Sequence, residues 1–307
     1  MAIELRTSRS GRFSQRLGGD GSFRDIGSDG RMLTIIVLTY NHETTIRATL
    51  DSVLEQKTSY PYEILICEDR STDRTSQICR DYAARHPGRI RLNAQPRNTG
   101  GKHLREGLCS VHTKYLSLLE GDDYWCDENK IQLALDFLEQ HPDYTTFAHD
   151  TWFNEVASGT KKSLVHDILK AVPENPITLD SAPYFHTSAR IHRNVVDFTR
   201  FPKKLMVYDI YLFYFYLDKG LLHYSDRIMS VYNITGTGMW SKLSPRDQEK
   251  NKDISFFTIN RLLAFKHDAL LTSKISTRRP LMALKRLLGV RAGWIVYLLA
   301  RYRSLTV

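Results

Sequence analysis

The stretch Leu116 to Trp125 (LSLLEGDDYW) sets two adjacent carboxylates, Asp122 and Asp123, behind a mostly apolar run and Gly121. Such a run reads as a buried strand, and strand ends in open α/β sheets are where ligands sit. Neighbouring carboxylates repel each other unless a positive charge lies beside them. A divalent cation carrying a phosphorylated ligand would supply that charge; an ordinary Asp-rich turn is the alternative this stretch leaves open. Asp69 follows a second apolar run, YEILIC at 62–67, and precedes Ser71, Thr72 and Asp73. It reads as an acceptor for a nucleobase N–H, with Ser71 and Asp73 capping the next helix. Thr39, Tyr40, Asn41 and Glu43 hold the corresponding place after the first strand, where a base and ribose would lie. Lys102 and His103 follow Gly100 and Gly101, which allow close backbone approach. They either face phosphates or open a solvated helix.

The elements that would position these groups alternate. LTIIVLTYN from Leu33 is a β-branched apolar run, and a helical pattern follows through Ile46, Leu50, Val53 and Leu54. After the run at 62–67 the spacing predicts a helix from Thr75 to about His86, stopped by Pro87 and Gly88, and a short strand from Ile90 to Asn93. A helix from about Lys102 to Val111 leads to the strand Tyr115 to Leu119. This alternation predicts a mostly parallel α/β sheet flanked by helices. Beyond it come a helix from Asp127 to Gln140, a strand from Tyr144 to Phe153, and a polar, mobile stretch from Ala157 to Asn175. A strand and turn around APYFHTSARIHRN, an aromatic helix starting at Asp209, a strand with a glycine-rich turn, and a helical region from 251 to 307 complete the chain.

With 307 residues the chain can bury a sizeable core. Its net charge of +9, from 43 Lys and Arg against 34 Asp and Glu, implies an anionic partner without choosing among nucleic acid, lipid headgroups and a phosphorylated substrate. Strand-end Asp residues would repel a phosphate backbone, which argues against nucleic acid. Cys67, Cys79, Cys109 and Cys126 have no Cys-x-x-Cys spacing and read as reduced thiols of a cytosolic protein. Neither a Gly-x-Gly-x-x-Gly after a strand nor a Gly-Lys-Ser/Thr phosphate loop occurs. No apolar run is long enough to span a bilayer, and residues 1–31 read as a disordered basic leader.

LTIIVLTYNHE, YEILICEDRSTDRT, the NTGG loop and YLSLLEGDDYW, in this order and spacing, resemble the GT-A fold of family 2 inverting glycosyltransferases across about residues 32 to 240. The resemblance implies a Rossmann-like GT-A sheet with a C-terminal helical extension. The nucleotide-sugar-binding half would span 32–150, the acceptor and catalytic-base half 151–250, and basic amphipathic helices 251–307. It further implies that Asp69 contacts the base, Asp122 the ribose, and Asp123 a Mg2+ or Mn2+ bridging the diphosphate, as in a DXD-like motif. VYDIYLFYFYLDKG is similar to the segment that bears the general base, which puts Asp209 in that role; a helix-opening N-cap is the other reading. Two departures stand out. Val207-Tyr208 replaces a Gly-Asp, and YNIT carries Asn233 and Thr235 where relatives have a His. Thr235 is a poor substitute ligand. His186 would then contact acceptor or phosphate, or be structural, and Trp240 would stack on a sugar or pack in the core.

The tail RRPLMALKRLLGVRAGWIVYLLARYRSLTV interleaves Arg and Lys with large apolar residues, the composition of a helix lying on an anionic membrane or of a packed helix with a solvated basic face. The combined expectation is a cytoplasmic, non-processive transferase, peripheral on the inner face of the membrane. It would move a sugar from a nucleotide-diphosphate sugar to a saccharide or lipid-linked acceptor in cell-surface polysaccharide or lipopolysaccharide assembly. A non-catalytic nucleotide-sugar-binding protein on the same fold is the alternative.

Overall fold

The computed structural model describes residues 30–100, 103–201, 208–236, 238, 242–264 and 266–275, with the backbone of three short strands nearer the N-terminus. Those strands, β1 (Leu5–Thr7), β2 (Phe13–Arg16) and β3 (Phe23–Asp25), pair antiparallel in a small sheet of their own within the stretch read as a disordered leader. The chain divides into two compact units, Met1–Lys204 with Tyr216–Thr235, and Leu205–Phe215 with Gly236–Val307.

The first unit contains the alternating pattern. Its elements are β4 (Leu33–Thr39), α1 (Ile46–Leu54), β5 (Tyr62–Glu68), α2 (Thr75–Arg85), β6 (Ile90–Ala94), α3 (His103–Cys109) and β7 (Tyr115–Glu120). β8 (Tyr124–Trp125), α4 (Lys130–Gln140), β9 (Tyr144–Glu155), β10 (Thr160–Ser163), β11 (Arg190–Arg193) and β12 (Leu221–Ile234) follow. One nine-stranded sheet runs β6-β5-β4-β7-β11-β9-β12-β8, with β10 on β9. β4, β5, β6 and β7 are mutually parallel, as the spacing predicts. β4 and β5 are buried along almost their whole length, the reason their sequences are mostly apolar rather than alternating. Ile35, Val37, Ile64 and Ile66 pack with Ile46, Leu50, Val53 and Ile131 in one core.

Helices begin later than the pattern suggests, α1 at Ile46 and α4 at Lys130, because the polar residues before them serve in loops. The stretch 157–175 departs from expectation more clearly. Rather than running irregularly throughout, it forms β10 and a π-helical turn at Leu164–Leu169. The cause is the fully buried Asp150 on β9, whose carboxylate accepts from Ser163 Oγ at 2.6 Å and Val165 N at 3.0 Å. A buried carboxylate needs such donors, and it draws the segment down onto the sheet.

In the second unit the first residues of α5 (Tyr208–Lys219) accompany α6 (Pro245–Leu262) and α7 (Asp268–Ser273). Ser244 caps α6 by accepting from Asp247 N and donating to the Asp247 carboxylate, with Pro245 at the first helical position. Asn260 Nδ2 donates to Asp268 Oδ1 at 2.7 Å, tying α6 to α7. The tail from 276 onward, Lys102 and Trp240 lie outside the described residues. Among the described residues no helix is long and apolar enough to cross a membrane.

Two fully buried histidines of the first unit, His149 and His192, are held neutral, and the partly buried His186 is shifted the same way. Burial drives His149 and His192 well below the ordinary imidazole value, aided at His149 by Lys130 and at His192 by Arg190. Burial, then Arg190 and Lys130, bring His186 down to about 3. A folded-state value below the unfolded one means that the unfolded chain takes up protons first as pH falls. Stability is therefore intact above an unfolded value of about 6.5 and is lost as pH drops below it. Each such histidine adds at most about 1.4 kcal/mol per pH unit to that slope. Urea titrations should show the unfolding midpoint falling steeply between pH 7 and 5, and His192→Gln, if it folds, should flatten the curve.

Candidate active site

Parallel neighbours β4 and β5 end side by side, so the loops that follow them meet. Asn41 and Arg70 both adopt positive φ, 57° and 61°, turning the chain at the two strand ends. Asn41 Oδ1 accepts from Thr72 N at 2.8 Å, and Asn41 N donates to Ser71 Oγ at 3.0 Å. Glu43 Oε2 accepts from Arg74 N, Glu43 N donates to Asp73 Oδ2, and His42 N donates to Thr75 Oγ1. Asn41 and Glu43 thus lace the two loops together. Tyr40 is exposed and Thr39 buried, with Thr39 Oγ1 lying 3.2 Å from His42 Nδ1.

Asp69 is also buried, and it anchors the loop containing the NTGG sequence. Its Oδ1 accepts from both Thr99 N and Thr99 Oγ1 at 2.7 Å, and Asn98 Nδ2 donates to its carbonyl. His103 Nδ1 lies 3.4 Å from the same oxygen.

The Asp pair sits on a tightly fixed turn at the end of β7. Asp123 N donates to Glu120 O at 3.0 Å, closing a four-residue turn, and Gly121 N donates to Leu38 O on β4. From α1, Thr45 and Thr49 donate to Gly121 O, and Thr49 also donates to Asp123 O at 2.7 Å. A Cβ at position 121 would come within 2.6 Å of His42 Nδ1 and 2.8 Å of Thr39 Oγ1, so only glycine lets the turn lie this close to β4. On its other side Asn233 of β12 grips both carboxylate residues: its N–H donates to Asp123 Oδ1 at 2.9 Å and its Nδ2 to Asp122 O at 2.6 Å. Asn154 Nδ2 on β9 in turn donates to Asn233 Oδ1 at 2.7 Å. Asn233 thus acts as the clamp on both Asp residues.

The two carboxylates have different surroundings. Asp122 is partly exposed, with its Oδ2 3.8 Å from His42 Nε2. The Asp123 side chain is wholly buried, and its Oδ2 has no hydrogen-bond partner. Burial, with Glu120 and Asp122 beside it, pushes the Asp123 carboxyl well above the ordinary carboxylate range; the Asn233 N–H pulls weakly the other way. An orphaned buried carboxylate oxygen costs free energy unless a ligand supplies the missing partner. Among the described residues, Glu120, Asp123 and His186 form the one group whose ligand atoms lie mutually within 4.8 Å, as metal ligands would. A divalent cation therefore fits the residues present.

Glu120, His186 and Asn233 are the site residues that sequence reading did not assign to the cation. The signal for Glu120 was its place three residues before Asp123 around a glycine, the spacing of a closed turn. His186 carried no local signal. It caps the 3-10 turn Thr187–Ala189 immediately before β11, which pairs antiparallel with β7 in the register Ile191↔Ser117. Continued, that register brings the residues before β11 against the end of β7. Asp209, the expected base, is the second residue of α5, half-buried, in the second unit.

Residues 34–201 match the model of glycosyl transferase family 2. The chain belongs to this family. Rv1520 of Mycobacterium tuberculosis, an uncharacterized protein, is 29% identical over 209 residues, which cover 68% of this chain and 60% of that protein. The match thus spans about three-fifths of the relative's length. Two solved structures share the fold. S. aureus TarS 1-349 in complex with UDP-GlcNAc superposes with a TM-score of 0.55 at 19% identity, covering 77% of this chain and 72% of that one. The mannosyltransferase PcManGT of Pyrobaculum calidifontis, in complex with GDP-Man and Mn2+, gives 0.53 at 17% identity, covering 89% and 79%. The family 2 chain described here accordingly has the GT-A fold, with β4, β5 and β7 bringing Thr39, Asp69 and the Asp pair to one end of the sheet.

Proposed function

We propose that this chain is a divalent-cation-dependent, inverting, non-processive glycosyltransferase that moves a sugar from a nucleotide-diphosphate sugar to a hydroxyl acceptor. The acceptor would be a saccharide or a lipid-linked one, in cell-surface polysaccharide or lipopolysaccharide assembly. The observation that carries this reading is the buried, unpartnered Asp123 oxygen on a turn fixed from β4, α1 and β12, in a chain of this family. Mn2+ and GDP-Man in PcManGT and UDP-GlcNAc in TarS support the cation and the donor class.

In this reading Asp123 holds a Mg2+ or Mn2+. When bound, the cation would neutralise the donor diphosphate and stabilise it as a leaving group. Asp122 accepts from the ribose hydroxyls with His42 at its back, and Asp69 fixes the base edge while holding the loop at 98–99 in place. Thr39 and Tyr40 flank the base and ribose, and Asn41 and Glu43 contribute by shaping the two loops; Lys102, outside the described residues, would be the phosphate contact that the sequence suggests. Asp209 takes the acceptor hydroxyl proton as that oxygen attacks the anomeric carbon, and the bond from that carbon to the diphosphate breaks with inversion. A carboxylate engaged with a cation is a poor base, which in this reading leaves the acceptor proton to Asp209 rather than Asp123. A lipid-linked acceptor would suit a place on the inner face of the membrane, with the basic tail on anionic lipid.

Purified full-length chain incubated with UDP-, GDP-, CDP- and dTDP-sugars should release nucleoside diphosphate from one donor class only when Mn2+ or Mg2+ is present. A donor that stabilises the fold only with the cation would mark the preferred nucleotide. Tight binding of a donor with no release under any acceptor would instead favour a non-catalytic binding protein.

A further inference from the structure

Asp123 Oδ2 faces His186 Nδ1 across 3.8 Å. That is too long for a hydrogen bond. Two ligand atoms each about 2.1 Å from a shared ion lie roughly 3–4 Å apart, which is the spacing found here. Glu120 joins them through the turn that closes on Asp123 N.

His186 is also held as a ligand would be. Its ring stacks on Tyr232 of β12, centroids 4.1 Å apart at 27°, and meets the edge of Phe153 at 6.1 Å. The turn it caps is pinned from below at the Ser188 carbonyl, which accepts from Trp125 Nε1 at 3.1 Å and from Lys130 Nζ. Lys130 is fully buried and its ammonium lies 3.9 Å from the centroid of the Trp125 ring. Such support of a ligand-bearing turn is what keeps first ligands oriented in metal sites. The same Nδ1 lies 2.8 Å from Ser188 Oγ and accepts from Ser188 N at 3.3 Å, so a cation would take its lone pair in place of these two Ser188 groups.

We infer that His186 and Glu120 complete the cation site of Asp123, giving a carboxylate, carboxylate, imidazole set in which the nitrogen ligand comes from the turn before β11 rather than from the C-terminal segment holding Thr235. The inference rests on the cation-dependent reading above and adds to it that the protein holds its cation before nucleotide arrives, and prefers ions that accept nitrogen. Imidazole ligation favours Mn2+ and, further along the first-row series, Co2+ over the hard, oxygen-seeking Mg2+.

The test uses full-length protein with Mn2+ alone, no nucleotide. Pulsed electron spin-echo spectroscopy of the wild-type Mn2+ complex should show the 14N modulation of a coordinated imidazole, and Mg2+ should displace the Mn2+ only at roughly tenfold or greater excess. His186→Asn should weaken Mn2+ binding about 10- to 100-fold and erase the modulation. The wild-type spectrum needs no folded variant, so a misfolded His186→Asn leaves the test intact. Absence of 14N modulation in the wild type, or equal competition by Mg2+, overturns the inference. If cation-dependent donor turnover then persists, the transferase reading stands and only the histidine is removed. If the modulation is present and no donor is turned over, the site stands and the transferase reading fails.

Discussion

Asp123→Asn is expected to abolish cation-dependent donor turnover while making the metal-free fold more stable. The loss should be about 10^2- to 10^3-fold or more, the scale of removing a group that neutralises leaving-group charge. The gain follows from the same burial. Because the folded-state value of Asp123 is raised above its unfolded value, ionising it inside the fold costs free energy, and that cost appears as pH rises through the raised value. Asparagine keeps an oxygen for the Asn233 N–H and carries no charge next to Glu120 and Asp122. Relief of one unpaired buried group is worth about 1–3 kcal/mol. In EDTA at neutral pH the variant should melt a few degrees higher than wild type, and Mn2+ should raise the melting temperature of wild type only. A variant that is destabilised in EDTA, or that still responds to Mn2+, would contradict this.

Asp209→Asn should cut nucleoside-diphosphate release about 10^2- to 10^4-fold with donor affinity nearly unchanged, because a general base acts on the acceptor proton and not on the donor. The competing structural role predicts something different. An acid in the first turn of α5 stabilises the helix by about 0.3–1 kcal/mol, and its loss would lower the unfolding midpoint without touching turnover per folded molecule. Measuring turnover and urea midpoint on the same preparation separates the two. Undiminished release removes Asp209 from the chemistry.

Much of this architecture was legible because buried parallel strands cannot alternate. The runs at 33–39, 62–67 and 115–119 are mostly apolar, interrupted only by Thr34, Glu63 and Ser117 before the polar residues that line one end of the sheet. The Asp pair was legible for the same reason. What sequence could not separate was a ligand contact from a loop lacing: Asn41 and Glu43 stand where a nucleotide would be gripped, yet their oxygens accept from Thr72 N and Arg74 N. Polar side chains at neighbouring strand ends satisfy each other's backbone donors first. His186 was illegible for a different reason. Its approach to Asp123 depends on the antiparallel register of β11 on β7, whose partners lie some seventy residues apart in the chain, as Ser117 Oγ donating to Arg190 O across 73 positions illustrates. The stretch 157–175 read as mobile because its residues are polar, and it is Asp150 on another strand that orders it.

The Asn154–Asn233 relay ties β9 and β12 to the Asp pair. β9 and β12 run parallel with Asn154 opposite Asn233, so one amide orients the next, and the second fixes both Asp122 and Asp123 through the backbone. The C-terminal strand thus acts on the site by positioning the carboxylates.

The most direct test of the central claim is the cation dependence of nucleoside-diphosphate release by wild type and Asp123→Asn, side by side, across the sugar-nucleotide panel with saccharide acceptors. The account predicts release from one donor class by wild type that EDTA stops and Mn2+ or Mg2+ restores, and none above background by Asp123→Asn. Release that survives EDTA, or that the variant matches, would contradict it.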